Sequence, residues 1–145
     1  MLFLGWDGTD WKSTFEGADL FVYLNTSEGG SVLARDWGFA HTLPFAADHG
    51  FVLEDDTYYQ HIAYDGTSWT DQSTTVDLYA GWADNKATEF ALPWSALGQP
   101  TSFDILVYAQ WQDEGNVWAS FPVQNPVSNN GCLLYTSPSP RDSGQ

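Results

Sequence analysis

Asp19-Leu20-Phe21-Val22-Tyr23-Leu24-Asn25, closed by Thr26-Ser27-Glu28-Gly29-Gly30-Ser31, is the stretch on which the fold turns. Its inner residues are all apolar or aromatic. Both faces of the extended chain are therefore apolar, as in a central strand covered on both sides. The polar, Gly-rich segment behind it is turn chemistry.

Outward from this strand the chain keeps the same grammar. Phe51-Val52-Leu53-Glu54 and the run from Tyr58 to Asp65 flank Asp55-Asp56-Thr57, which reads as a hairpin loop. Thr75 to Trp82 alternates, with Val76, Leu78, Ala80 and Trp82 partly on one face. In Thr88 to Trp94, Phe90, Leu92 and Trp94 point one way and Glu89 and Ala91 the other. Phe103, Ile105, Val107, Ala109 and Trp111 share a face. Val117 to Phe121 is a last strand before Pro122 and Pro126, and Leu2-Phe3-Leu4-Gly5-Trp6 is a strand at the opposite end. Strands at this spacing, with Gly, Asp or Asn between them, predict one all-β domain: an antiparallel β-sandwich or jelly roll, not βαβ units. Ser95-Ala96-Leu97 is expected to make one helical turn, ended by Gly98.

One pattern occurs twice. Trp6-Asp7-Gly8-Thr9-Asp10-Trp11 matches Tyr64-Asp65-Gly66-Thr67-Ser68-Trp69 as aromatic-Asp-Gly-Thr-x-Trp. Asp-Gly favours a two-residue hairpin turn with φ > 0 at both central positions, so two such hairpins are predicted. An EF-hand loop at Asp7 and Asp10 would need several more spaced oxygens.

The ends bound the domain. Residues 1–130 are assigned to the β-sandwich domain. A strand that begins at the first residue predicts further sequence upstream. Residues 131–145 are expected to be a disordered, artefactual tail. Cys132-Leu-Leu-Tyr-Thr-Ser-Pro-Ser-Pro-Arg-Asp142 resembles, residue for residue, a translated sequencing adapter made of a transposase mosaic end and its extension.

Acids outnumber bases 19 to 4 in 145 residues, for a formal charge of −15. That balance excludes phosphate-backbone binding through a basic patch and disfavours anionic membranes. The longest apolar runs, such as Ile105-Leu106-Val107, fall far short of the ~18 residues of a membrane span, so no membrane insertion is expected. The single cysteine, Cys132, lies in the tail, so the domain carries no disulfide, thiol nucleophile or cysteine-based metal site. No G-x-S-x-G, H-E-x-x-H, Walker or G-x-G-x-x-G motif occurs. His41, His49 and His61 stand far apart and read as surface or core-edge residues. The acids sit mostly in turns (Asp7, Asp10, Glu28, Asp55, Asp56, Asp71, Asp84, Asp113, Glu114), where Asp caps backbone amides. No catalytic residue is assigned.

The eight Trp are the most informative composition feature. Trp6, Trp82 and Trp94 read as core. Trp11, Trp37, Trp69, Trp111 and Trp118 lie among polar residues at strand ends or in turns. A small sandwich does not easily bury eight Trp. Exposed aromatic rings beside planar polar side chains suit a sugar, which stacks its C–H face and hydrogen-bonds through its hydroxyls. Arg35-Asp36-Trp37 and Gln110-Trp111-Gln112-Asp113 with Asn116 are the two best clusters. The candidate ligand-binding residues are Arg35, Trp37, Trp111, Gln112, Asn116 and Trp118. Asn25-Thr26-Ser27 is also an N-glycosylation sequon.

Several stretches carry a family resemblance. Thr88-Glu89-Phe90-Ala91-Leu92-Pro93-Trp94-Ser95-Ala96-Leu97-Gly98 resembles the E-x-x-I-P-W-x-x-L-G segment of DOMON-like β-sandwiches, including the family-nine carbohydrate-binding modules. Asp19 to Thr26 is similar to their D-L-Y-V-Y-L-D-T strand, and Leu2 to Trp6 to their L-Y-L-G-W strand. The resemblance implies an extracellular or cell-surface sandwich domain appended to a larger protein. In family-nine modules two Trp clamp a sugar-chain end; Trp37 and Trp111 are the candidates here. Some relatives bind haem through Met and His, but the only Met is Met1. Others bind structural calcium, which the acidic loops would permit. No other cofactor is implied. The expected function is a non-catalytic module binding a glycan or polysaccharide beside neighbouring domains of its parent chain. The alternatives are a structural or adhesive spacer and a glycoside-active domain.

Overall fold

The computed structural model of the chain describes residues 1–7, 17–37, 39–55, 57–72, 79–83, 87–112, 115 and 117–122; for Trp6, Asp7, residues 79–83 and Trp118 it describes the backbone. The described chain is all-β, with antiparallel sheets. Its strands are β1 (Leu2–Asp7), β2 (Ala18–Asn25), β3 (Ser31–Leu33), β4 (Thr42–Ala47), β5 (His49–Leu53), β6 (Tyr59–Tyr64), β7 (Trp69–Asp71), β8 (Tyr79–Ala83), β9 (Ala87–Leu92), β10 (Asp104–Trp111) and β11 (Val117–Phe121). A 3₁₀ turn, Trp94–Leu97, follows β9 and ends at Gly98, whose φ of 73° is left-handed and suits glycine. No helix among the described residues is long and apolar enough to cross a membrane.

β2 lies inside a six-stranded sheet of order β11-β10-β2-β5-β6-β7, as its two apolar faces require. A three-stranded sheet, β1-β9-β8, and the pair β3-β4 complete the pairing. The alternation of β2 divides the core in two. Leu20, Val22 and Leu24 join Phe51, Leu53 and Ala109 in one cluster with Phe90 and Leu92 of β9 and Leu97, against half-buried Leu2 and Leu4 of β1. Phe21 and Tyr23 join Val52, Ile62, Leu106, Tyr108 and Val117 in another, which meets Ala34, Leu43 and Ala47 at the β3-β4 pair. The six-stranded sheet is thus covered on both faces, by a second sheet on one side and a short pair on the other.

Several expectations change. The Asp65-Gly66 turn is a four-residue loop, because Tyr64 pairs with Trp69. Asp65 Oδ1 accepts the Thr67 and Ser68 N–H groups at 2.8 Å each, and only Gly66 takes a positive φ, 95°. Self-capping by the carboxylate replaces the two-residue turn, which would need φ > 0 at Asp65 as well. The twin at Asp7-Gly8 lies outside the described residues. Trp94 is displaced from the face of Phe90 and Leu92 because Pro93 ends β9. It is half-buried in the 3₁₀ turn, edge-on to Phe103 with centroids 6.0 Å apart. β3, β4 and β7 carry no strand signal of their own; each is short or interrupted by Pro, and none alternates cleanly. Two histidines read as surface or core-edge are buried, His41 and His61.

Candidate functional site

On the face of the six-stranded sheet that meets the β3-β4 pair, a cavity of about 210 Å³ is lined by Asp19, Phe21, Trp37, Val52, Glu54, Tyr58, Gln110 and Gln112. Strand register assembles it. Asp19 sits opposite Gln110, and Phe21 opposite Val52. Glu54 and Tyr58 bracket the β5-β6 loop, held by the Glu54 N–H donating to the Tyr58 carbonyl at 3.0 Å. Asp55 Oδ1 caps that loop, accepting the Thr57 and Tyr58 N–H groups at 2.7 and 2.9 Å. Trp37 comes from the connection between β3 and β4.

The rings are held from behind. Trp37 lies 5.5 Å from Phe21, tilted by 50°, and Phe21 stacks on Tyr108 at 5.0 Å. The Arg35 guanidinium sits 4.5 Å above the Trp37 ring and donates to Gln60 Oε1 at 3.1 Å. A cation on an indole face fixes the ring's orientation and contributes about 0.5–1 kcal/mol.

The polar wall is also fixed. Gln112 Nε2 donates to Asp19 Oδ1 at 2.7 Å. Gln110, only 3% exposed, sets its Oε1 2.7 Å from His41 Nε2. Burial pushes the Asp19 carboxyl up from 3.8 to about 6; the Gln112 hydrogen bond opposes this and the charges of Glu54 and Asp55 add to it. The cavity therefore presents aromatic walls, planar amides and two carboxyl groups. That mixture suits a small polar ring with one apolar face.

The candidate residues are only partly brought together. Trp37 and Gln112 line the cavity, and Arg35 stands behind Trp37. Trp111 does not join them. It pairs with Ala18 at the end of β10, one residue from both Gln110 and Gln112, so alternation puts it on the opposite face of the sheet. Trp37 and Trp111 therefore cannot clamp one sugar between them. Asn116 lies outside the described residues, as does the side chain of Trp118. Asp19, Phe21, Glu54, Tyr58 and Gln110 were missed as site residues. They come from four separate stretches, each reading locally as strand or turn. Trp69, counted among the exposed rings, is half-buried: its Nε1 donates to the Leu33 carbonyl at 3.0 Å and its ring meets Tyr23 edge-on at 5.4 Å.

Elsewhere, buried Asp48 holds the turn after β2. Its carboxylate accepts the Thr26 N–H at 2.7 Å, the Thr26 hydroxyl at 2.7 Å and the Ser27 hydroxyl at 2.6 Å. Burial alone would raise this carboxyl, but these hydrogen bonds and nearby His49 outweigh it and hold it below the usual value. Two sequon residues are thereby tied down, and Asn25 itself donates to Asp104 at 3.0 Å. No group of three or more His, Cys, Asp or Glu able to hold a metal ion occurs among the described residues; Asp10, Asp56, Asp84, Asp113 and Glu114 lie outside them. No protein-family model matches the chain, and no curated protein or solved structure matches it either.

Proposed function

We propose that this chain is a non-catalytic carbohydrate-binding module of a secreted or surface protein, with its ligand in the Trp37 cavity. The observation that carries the reading is the cavity lining: Trp37, Tyr58 and Phe21 rings beside the Gln110 and Gln112 amides and the Asp19 carboxyl. Its size suits a single pyranose rather than a drug-sized ligand, which usually occupies about 300 Å³ or more. The resemblance to DOMON-like sandwiches and family-nine modules agrees with such a role, although a two-Trp clamp of Trp37 and Trp111 is no part of it. Glycan-array binding of the parent protein against Trp37→Ala tests the reading. Binding by the parent and its loss in the variant are expected. Binding by neither protein favours a spacer domain.

One observation favours a second reading, a glycoside-active domain. Asp19, with its carboxyl raised to about 6, shares the cavity with Glu54. Two carboxyl groups in unlike environments are the usual acid–base pair of sugar hydrolysis. Reducing sugar released by the parent, and not by Asp19→Asn, would establish that reading.

A further inference from the structure

Among the described residues, the charged side chains that line the Trp37 cavity are one-sided. Asp19 and Glu54 line it, and Asp55 stands in the adjoining loop. Among the described residues no Lys or Arg lines it. Arg35, the one Lys or Arg among the described residues, is engaged by the Trp37 ring and Gln60. The charges that act on Asp19 are those of Glu54 and Asp55, both negative. Trp37, Tyr58 and Phe21 line the same cavity, and aromatic π faces attract cations. Gln110 also lines the cavity; it is 3% exposed, and its Oε1 is held 2.7 Å from His41 Nε2. With that oxygen held, the Gln110 amide can donate from Nε2 to a hydroxyl of the occupant.

We propose that the ligand of this cavity is an amino sugar, a pyranose with a free protonated amine, its ring against Trp37 and Tyr58, its ammonium toward Asp19 and Glu54, and a hydroxyl accepting from Gln110. The proposal rests on the carbohydrate reading of the same cavity and names its substrate class. A uronic acid would meet two like charges, which costs binding. A neutral sugar would dehydrate the Glu54 carboxylate without offering it a charge. A quaternary ammonium would offer the Gln110 amide no acceptor.

The test is calorimetric titration of the full chain, at pH 6 and about 0.15 M NaCl to screen diffuse attraction, with glucosamine trisaccharide, its N-acetylated counterpart, cellotriose, choline and a lysine peptide. The glucosamine trimer is expected to bind about tenfold tighter than cellotriose, as one close charge pair provides. Trp37→Ala should abolish binding, and Glu54→Gln should remove most of the preference, with circular dichroism confirming that both variants fold. Asp19→Asn serves as the second charge variant should Glu54→Gln unfold. Cellotriose binding as tightly as the glucosamine trimer overturns the amine assignment and leaves the carbohydrate reading standing. Glucosamine binding unchanged in the variants also overturns it, because attraction to a −15 chain would then suffice. Binding of choline or a lysine peptide but of no sugar, or of none of these probes, overturns both.

Discussion

Gln112 Nε2 donates to Asp19 Oδ1 across 2.7 Å, joining the residue just after β10 to the start of β2. The bond fixes one oxygen of a carboxyl that burial has pushed up to about 6. A carboxyl raised above its unfolded value of 3.8 contributes stability below that value, and the contribution is lost as pH rises through about 6. Asp19→Asn keeps an acceptor for Gln112 and removes the ionisation. The variant should match the parent at pH 3.5 and melt higher at pH 7.5. Discounted for solvent screening, the gain is about 1 kcal/mol, or about 3 °C. Thermal melts across pH 3.5 to 8 check this; equal melting temperatures at pH 7.5 would refute it.

His49 and His61 predict the opposite slope. Their rings stack at 5.2 Å, with His49 Nδ1 3.0 Å from His61 Nε2, and His61 also stacks on Phe51. Burial lowers both, and the His49 charge lowers His61 further, to about 4; Asp48 beside His49 and Asp71 beside His61 pull weakly the other way. For a histidine lowered in the fold, stability is present above 6.5 and is lost as pH falls toward about 4. His61→Phe keeps the stacking on Phe51. It should flatten the fall in melting temperature between pH 6.5 and 4 relative to the parent, whatever its absolute stability. Comparing the two slopes cancels the contribution of Asp19.

Trp37 and Trp111 give a contrast in binding. Because they occupy opposite faces of the six-stranded sheet, Trp37→Ala should weaken sugar binding by at least about tenfold, the effect of losing a buried aromatic anchor. Trp111→Ala should leave affinity within about threefold. Equal losses in the two variants would place the ligand elsewhere.

The Tyr23 hydroxyl is buried and accepts the Arg35 N–H at 3.0 Å. Tyr23→Phe leaves that N–H without its partner and should cost about 1–2 kcal/mol in urea unfolding. Arg35 supports Trp37 through its guanidinium. Sugar affinity should therefore fall in the same variant.

Much of this architecture is legible locally. The double-faced apolar run of Asp19 to Asn25 predicts an inner strand, and β2 is one, because both of its faces must leave water. The loop at Asp55-Asp56-Thr57 and the turn ended by Gly98 are equally local, since capping and left-handed φ are decided within a few residues. β3 and β7 are not legible, because strands of three residues are stabilised by their partners rather than by their own pattern. Buried His41 meets Gln110, which is 69 residues away, so its environment is not legible locally.

The sequence by itself determined the all-β class, the inner position of β2 and the acidic charge, all of which follow from side-chain type and period. Only the tertiary structure decided which residues meet. Asp19 and Gln112 are 93 residues apart, and strand register alone makes them neighbours. Register has a period of two, so the single step from Gln112 to Trp111 moves a side chain from the cavity to the other side of the sheet. Composition cannot show that step, and it removes Trp111 from the site while admitting Asp19, Glu54 and Gln110.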